Sequence, residues 1–231
     1  FVDFHGWSPV YESNIFVNPG SFHGTHVAGT IGAEGGNGIG VAGVSQDVSM
    51  ISVMIFDESG YTTSFAIMEG YRYMTAIMEK GVDVVAINQS WGGGENMISE
   101  EGQAFVKEMT QHALDHNEYG AVWVVSAGNS SLNRDDQYYF SIPNNINSPN
   151  VMTVASSDAN EMPSGFTDFG NYTVDIYAPG SDIVSTYPGG YAYLSGTSMA
   201  SPHVSGSIAL AKALFPDDSG VDLMTRILAS G

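Results

Sequence analysis

At 231 residues with 43% apolar content, the chain holds enough material for one packed domain, which excludes wholesale disorder. Its 25 acidic and 6 basic residues leave a formal charge of -19, which repels phosphate backbones and anionic lipid and speaks against nucleic-acid or membrane partners. The lack of cysteine rules out disulfides, a thiol nucleophile and thiolate zinc sites.

Taken in chain order, residues 1–22 read as irregular. Val48–Phe56 reads as a buried strand, and Thr62–Lys80 as a helix closed by Gly81. Val82–Asn88 is the next expected strand, Ile98–Asn117 the next helix and Ala121–Ser126 the next strand. Val151–Ser156, Val174–Tyr177 and Ile183–Ser185 follow as short strands, and Ser198–Leu214 and Val221–Ala229 as closing helices. Alternating strands and helices with continuous apolar strands predict a three-layer α/β fold. Its sheet is mostly parallel and doubly wound, with helices on both faces and sites at the carboxyl ends of the strands. The longest apolar stretches, Val82–Ile87 and Ala121–Val125, are too short to cross a bilayer. With no repeats, low-complexity tracts or linker, residues 1–231 read as one domain. The abrupt ends at Phe1 and Gly231 suggest that it is incomplete.

Three short blocks carry chemistry. In Gly196-Thr197-Ser198-Met199-Ala200-Ser201-Pro202-His203, a serine stands at the mouth of a helix behind a glycine. Pro202 is expected in the first helical turn, where its missing N–H is harmless. The helix N-terminus favours negative charge developing at Ser198. In His23-Gly24-Thr25-His26 an imidazole sits where a general base could reach such a serine. In Ser126-Ala127-Gly128-Asn129 an amide follows an apolar strand and could donate to an oxyanion. Singly, each has an ordinary structural explanation: an N-cap serine, a packed histidine, a turn asparagine.

Together, HGTHVAGT, SAGN and SGTSMASPHVSG resemble the signature blocks of the subtilisin-like serine proteases, across about residues 20–215. Ser90-Trp91-Gly92-Gly93 and Tyr177-Ala178-Pro179-Gly180 are similar to the family's intervening text. The resemblance implies a serine endopeptidase with Ser198 as nucleophile, His23 as general base and Asn129 as oxyanion donor. It further implies that Ser90, Trp91 and Gly92 pair with substrate and wall the S1 pocket. Ser126, Ala127 and Gly128 would form the opposite wall and floor, and Ser59, Gly60 and Tyr61 the second pairing edge. A secreted or extracellular, monomeric enzyme acting on protein or peptide substrates is expected, with a pro-region. No cofactor is needed for the chemistry. The glycine-rich loop Gly35–Val41 is similar to the family's calcium loop, which implies structural calcium at Asn37, Ile39 and Val41.

One part of the pattern does not match. The family's orienting acid is an Asp after an apolar strand, followed by Ser/Thr-Gly, upstream of the histidine block. Asp3, followed by Phe4-His5-Gly6, lacks that context. Three explanations stand: the chain is an incomplete copy of an active enzyme, the strand arrives on another chain, or this is a weakly active relative. Loss of the acid alone from a subtilisin triad lowers kcat about 3 × 10⁴-fold, so this chain alone is expected to be feeble.

A non-catalytic peptide-binding relative is the rival reading. A zinc hydrolase is a third, since His112 and His116 lie four apart on an expected helix near Glu118. Met199 is a candidate oxidation point and His203 a packed histidine. Asp57 and Glu58 beside the pairing edge would favour basic substrate side chains.

Overall fold

The computed structural model describes residues 6–14, 22–92, 120–136, 142–144, 146 and 148–230, with the isolated positions 104 and 108. Four strands, β1 (Ala86–Gln89), β2 (Val122–Ser126), β3 (Val151–Ser157) and β4 (Ile176–Pro179), form one sheet in the order β1-β2-β3-β4. All its pairings are parallel, with Ala86 opposite Val122, Val124 opposite Met152 and Val154 opposite Ile176. β5 (Ile183–Tyr187) and β6 (Gly190–Leu194) make a separate antiparallel hairpin. The helices are α1 (Phe22–Gly32), α2 (Ser64–Glu79), α3 (Thr197–Leu214) and α4 (Gly220–Ser230).

Every residue of β2 is buried, so both faces of the sheet are covered. Val122 and Val124 pack with Met152, Val154, Ala200, Val204, Ile208 and Leu223, which puts α3 and α4 on one face. Trp123 and Val125 pack with Ile67, Tyr71 and Ile55, which puts α2 on the other. These are the three expected layers. α1 lies against α3 and β5. Its approach to β5 needs a glycine, since a Cβ on Gly29 would come within 2.1 Å of Thr186 Oγ1. His26 of α1 is fully buried, and its Nε2 lies 3.0 Å from the Ile183 carbonyl and 3.1 Å from that of Ala192. Two carbonyls can only accept, so Nε2 carries the proton.

The structure departs from expectation in several places. Val48–Phe56 is not a strand: within it only Val53 makes a bridge, parallel to Trp7, and Met50 and Ile51 are 49% and 43% exposed. The reason is visible beside it. A cavity of about 1100 Å³ separates residues 48–53 from Val84–Gln89, with Trp123 and Leu210 also on its wall. Among the described residues β1 therefore pairs on one side only, and it is half-exposed where β2 and β3 are buried. β6 was not anticipated from the sequence, because Gly190–Leu194 alternates exposed aromatics instead of presenting an apolar run. Pro202 lies inside α3, beyond its first turn. Met199, expected to be open to oxidation, is 2% exposed. Of the expected helix Ile98–Asn117 only positions 104 and 108 are described, and both are helical; the triplet His112, His116 and Glu118 lies outside the described residues, as does Asp3.

Candidate active site

α3 begins at Thr197 after Gly196, which has no side chain of its own to cap the helix. Ser198 is half-buried between buried neighbours Thr197 and Met199. Its Oγ donates to the Ser90 carbonyl at 3.3 Å, and Ser90 Oγ donates to the Ser198 carbonyl at 2.9 Å. Pro202 explains the second bond. Having no N–H, it cannot serve the carbonyl four residues back, which is that of Ser198. The end of β1 is tied to the same helix by Asn88, whose Oδ1 accepts from Ser201 Oγ at 2.9 Å and Ser205 Oγ at 3.0 Å. Its Nδ2 donates to Ser90 Oγ at 2.9 Å.

Asn129 follows β2 on an exposed loop, yet its amide has a defined orientation. Oδ1 accepts from the Thr197 N–H at 2.8 Å and from Thr197 Oγ1 at 3.0 Å. A backbone N–H can only donate, so the oxygen is the atom facing Thr197 and Nδ2 is the atom left over. Thr197 Oγ1 in turn accepts from the Gly128 N–H at 3.1 Å, which points its own proton at Asn129. A Cβ built on Gly196 would lie 3.6 Å from Asn129 Nδ2, 3.7 Å from its Oδ1 and 3.7 Å from Ser198 N. Asn129 Nδ2 and the Ser198 N–H, neither used by a described hydrogen bond, therefore both lie close to Gly196.

His23 stands in the first turn of α1, half-buried. Burial, and then the neighbouring His26, holds its imidazole below the ordinary value of 6.5, so the ring is neutral near neutrality. No described hydrogen bond joins His23 to Ser198, whose hydroxyl is turned to Ser90. Among the described residues no carboxylate forms an ion pair with His23. Gly24, next in the chain, lines the cavity beside β1. His203 is packed as expected, its Nδ1 lying 2.8 Å from the Met199 carbonyl, and burial lowers its pKa.

Ser90, Ser126 and Ala127 are buried, while Trp91 is half-buried with its ring edge-on to Phe56 at 6.4 Å. Gly128 takes φ +119. Ser59, Gly60 and Tyr61 are exposed but form a turn, not an extended edge. The Asp57 carboxylate accepts from the Ser59 and Tyr61 N–H groups at 2.9 Å each, and Asp57 N–H donates to the Tyr61 carbonyl at 2.8 Å. The N–H of Tyr61 is therefore engaged by Asp57.

In the glycine-rich loop Asn37 Oδ1 accepts from the Ile39 N–H at 2.9 Å, and Gly36, Gly38 and Gly40 have positive φ. One amide oxygen and the carbonyls of Ile39 and Val41 are hard donors. They fall short of the roughly six to eight oxygens calcium takes. Among the described residues no three His, Asp or Glu side chains gather to supply the rest. These residues by themselves do not fit a calcium ion.

A parallel sheet between helical layers, with Ser198 at a helix mouth and the Asn129 amide bonded to Thr197 beside it, fits an α/β protein of the subtilisin-like class. The Subtilase family pattern matches residues 2–230, and the chain belongs to that family. It is 36% identical over 223 residues to subtilisin DY of Bacillus licheniformis, covering 96% of this chain and 74% of that protein. It is also 36% identical to thermitase of Thermoactinomyces vulgaris, covering 89% of this chain and 66% of that one. A cold adapted subtilisin-like serine proteinase superposes with a TM-score of 0.76 at 29% identity, over 94% of this chain and 70% of that one. Sphericase superposes at 0.73 with 28% identity, over 90% and 69%. The chain thus spans about two thirds to three quarters of these relatives.

Thr197, Asn88 and the buried pair Arg134–Asp168 were not singled out in the sequence. Thr197 lies inside the serine block and could have been found there. Asp168 is 38 positions from Ser130, whose N–H it accepts, and no local pattern announces it.

Proposed function

We propose that this chain is the Ser198-bearing part of a serine endopeptidase. Ser198 Oγ attacks a peptide carbonyl as His23 takes its proton, His23 passes that proton to the departing amine to leave an acyl-enzyme, and water then hydrolyses the ester. Asn129 Nδ2 and the Ser198 N–H hold the oxyanion. The observation that carries this reading is the pair of unused donors flanking Gly196 beside Ser198. Ser198 Oγ, which donates to the Ser90 carbonyl, would turn towards His23 to react. Ser90, Trp91 and Gly92, with Ser126, Ala127 and Gly128, would line the substrate cleft.

The orienting acid would reach His23 on an extended apolar strand lying in the cavity between residues 48–53 and β1. One wall of that cavity is β1, the edge of the sheet, and the cavity extends to Gly24. Without the acid, the unheld imidazole samples wrong orientations, so turnover by this chain alone would be slow.

The test is stoichiometric labelling with an alkyl fluorophosphonate, which needs no turnover. A label on Ser198 that is lost in Ser198→Ala supports the peptidase. A folded protein whose Ser198 stays inert supports instead a peptide-binding relative without catalysis.

A further inference from the structure

We infer that Asp168, paired with Arg134, is a positioning residue that aims the Asn129 amide at the oxyanion. This rests on the reading of Asn129 as a donor. Asp168 is fully buried and Arg134 is 8% exposed. Asp168 Oδ1 accepts from the Ser130 N–H at 2.8 Å and the Leu132 N–H at 2.9 Å. Its Oδ2 accepts from Arg134 Nε at 2.7 Å and also from Nη2. Its own N–H donates to the Gly128 carbonyl at 2.9 Å. One residue therefore holds the chain at positions 128 and 130, immediately on either side of Asn129.

The loop runs close against the carboxylate. A Cβ on Gly128 would fall 2.1 Å from Asp168 Oδ2, so only glycine fits there. The neighbouring strands of loop are zipped as well: Ser131 N–H meets the Phe166 carbonyl at 3.0 Å, and Arg134 N–H meets that of Phe169 at 2.7 Å. Burying a carboxylate is costly unless its lone pairs are filled, and here four donors fill them. An exposed turn residue such as Asn129 would otherwise move freely. The clamp fixes its backbone, Thr197 then fixes its rotamer, and Nδ2 is held in place before any charge develops. A donor that needs no reorganisation at the moment of reaction is the one that stabilises it most.

Fluorophosphonate labelling of Ser198 provides the test, because the phosphoryl oxygen occupies the same donors as fluoride leaves. Asn129→Ala is expected to slow labelling about 10²-fold, the typical loss for one such donor. Arg134→Met/Asp168→Leu removes the clamp without stranding a buried charge, and is expected to slow labelling by a similar factor. In the Asn129→Ala background the same pair is expected to add almost nothing, since no amide remains to be aimed. Should the pair fail to fold, Arg134→Met/Asp168→Asn, which likewise leaves no lone buried charge, is read the same way, with a loss of about tenfold expected, a fraction of that for a whole donor. An equal slowing with and without the Asn129 amide would reduce Asp168 to a general structural role and overturn the inference alone. Native-rate labelling of Asn129→Ala would overturn the inference together with the donor assignment it rests on.

Discussion

His23 shows how the environment of a single residue sets its chemistry. Burial disfavours the imidazolium, with His26 adding to the effect, so the folded chain binds this proton less readily than the unfolded chain. The sign follows: the stability tied to neutral His23 is complete above 6.5 and is lost as pH falls through the window below it. The imidazole should accordingly stay neutral to lower pH than an exposed one. The acid limb of Ser198 labelling is expected below 6.5, and a midpoint at or above that value would show that burial does not govern the ring. Residue identity was legible here from the HGTH text, but the direction of the shift was not, because desolvation depends on what packs around the ring.

Among the elements, α2 was legible almost to its ends. Thr63 Oγ1 accepts from the Ala66 N–H at 3.1 Å with extended backbone, and Gly81 at φ +85 follows the C-terminus. Both are local signals. Thr63→Ala is expected to lower stability by about 1 kcal/mol, and urea unfolding that shows no loss would mean that the cap is idle. Val48–Phe56 failed for the opposite reason. Its apolar run has strand character, yet a strand exists only through its neighbour, and the cavity lies where one would pair. Asp175 was equally illegible as a perturbed group. Burial raises its pKa although Thr153 N–H donates to it at 2.7 Å, and that burial comes from the sheet packing.

For the molecule as a whole, the open slot beside β1 is the proposed seat of the acid. A short apolar peptide ending in a carboxylate is expected to bind there and raise the melting temperature, by about 2.7 kcal/mol in stability at a hundredfold excess over Kd. The same peptide should speed Ser198 labelling if it brings the acid to His23. A matched peptide interrupted by proline should do neither, since it cannot pair along the edge. No response from either would remove the slot as the source of the acid.

The amino-acid text by itself determined the family, the layer order and which serine, histidine and asparagine to examine, because those depend on local periodicity and on contiguous blocks. Only the tertiary structure decided that Thr197 turns the Asn129 amide, that Pro202 frees the Ser198 carbonyl for Ser90, and that Asp168 grips the loop around Asn129. Those bonds join residues 38 to 108 positions apart, and no sequence pattern encodes a contact that exists only once the sheet has brought both partners together.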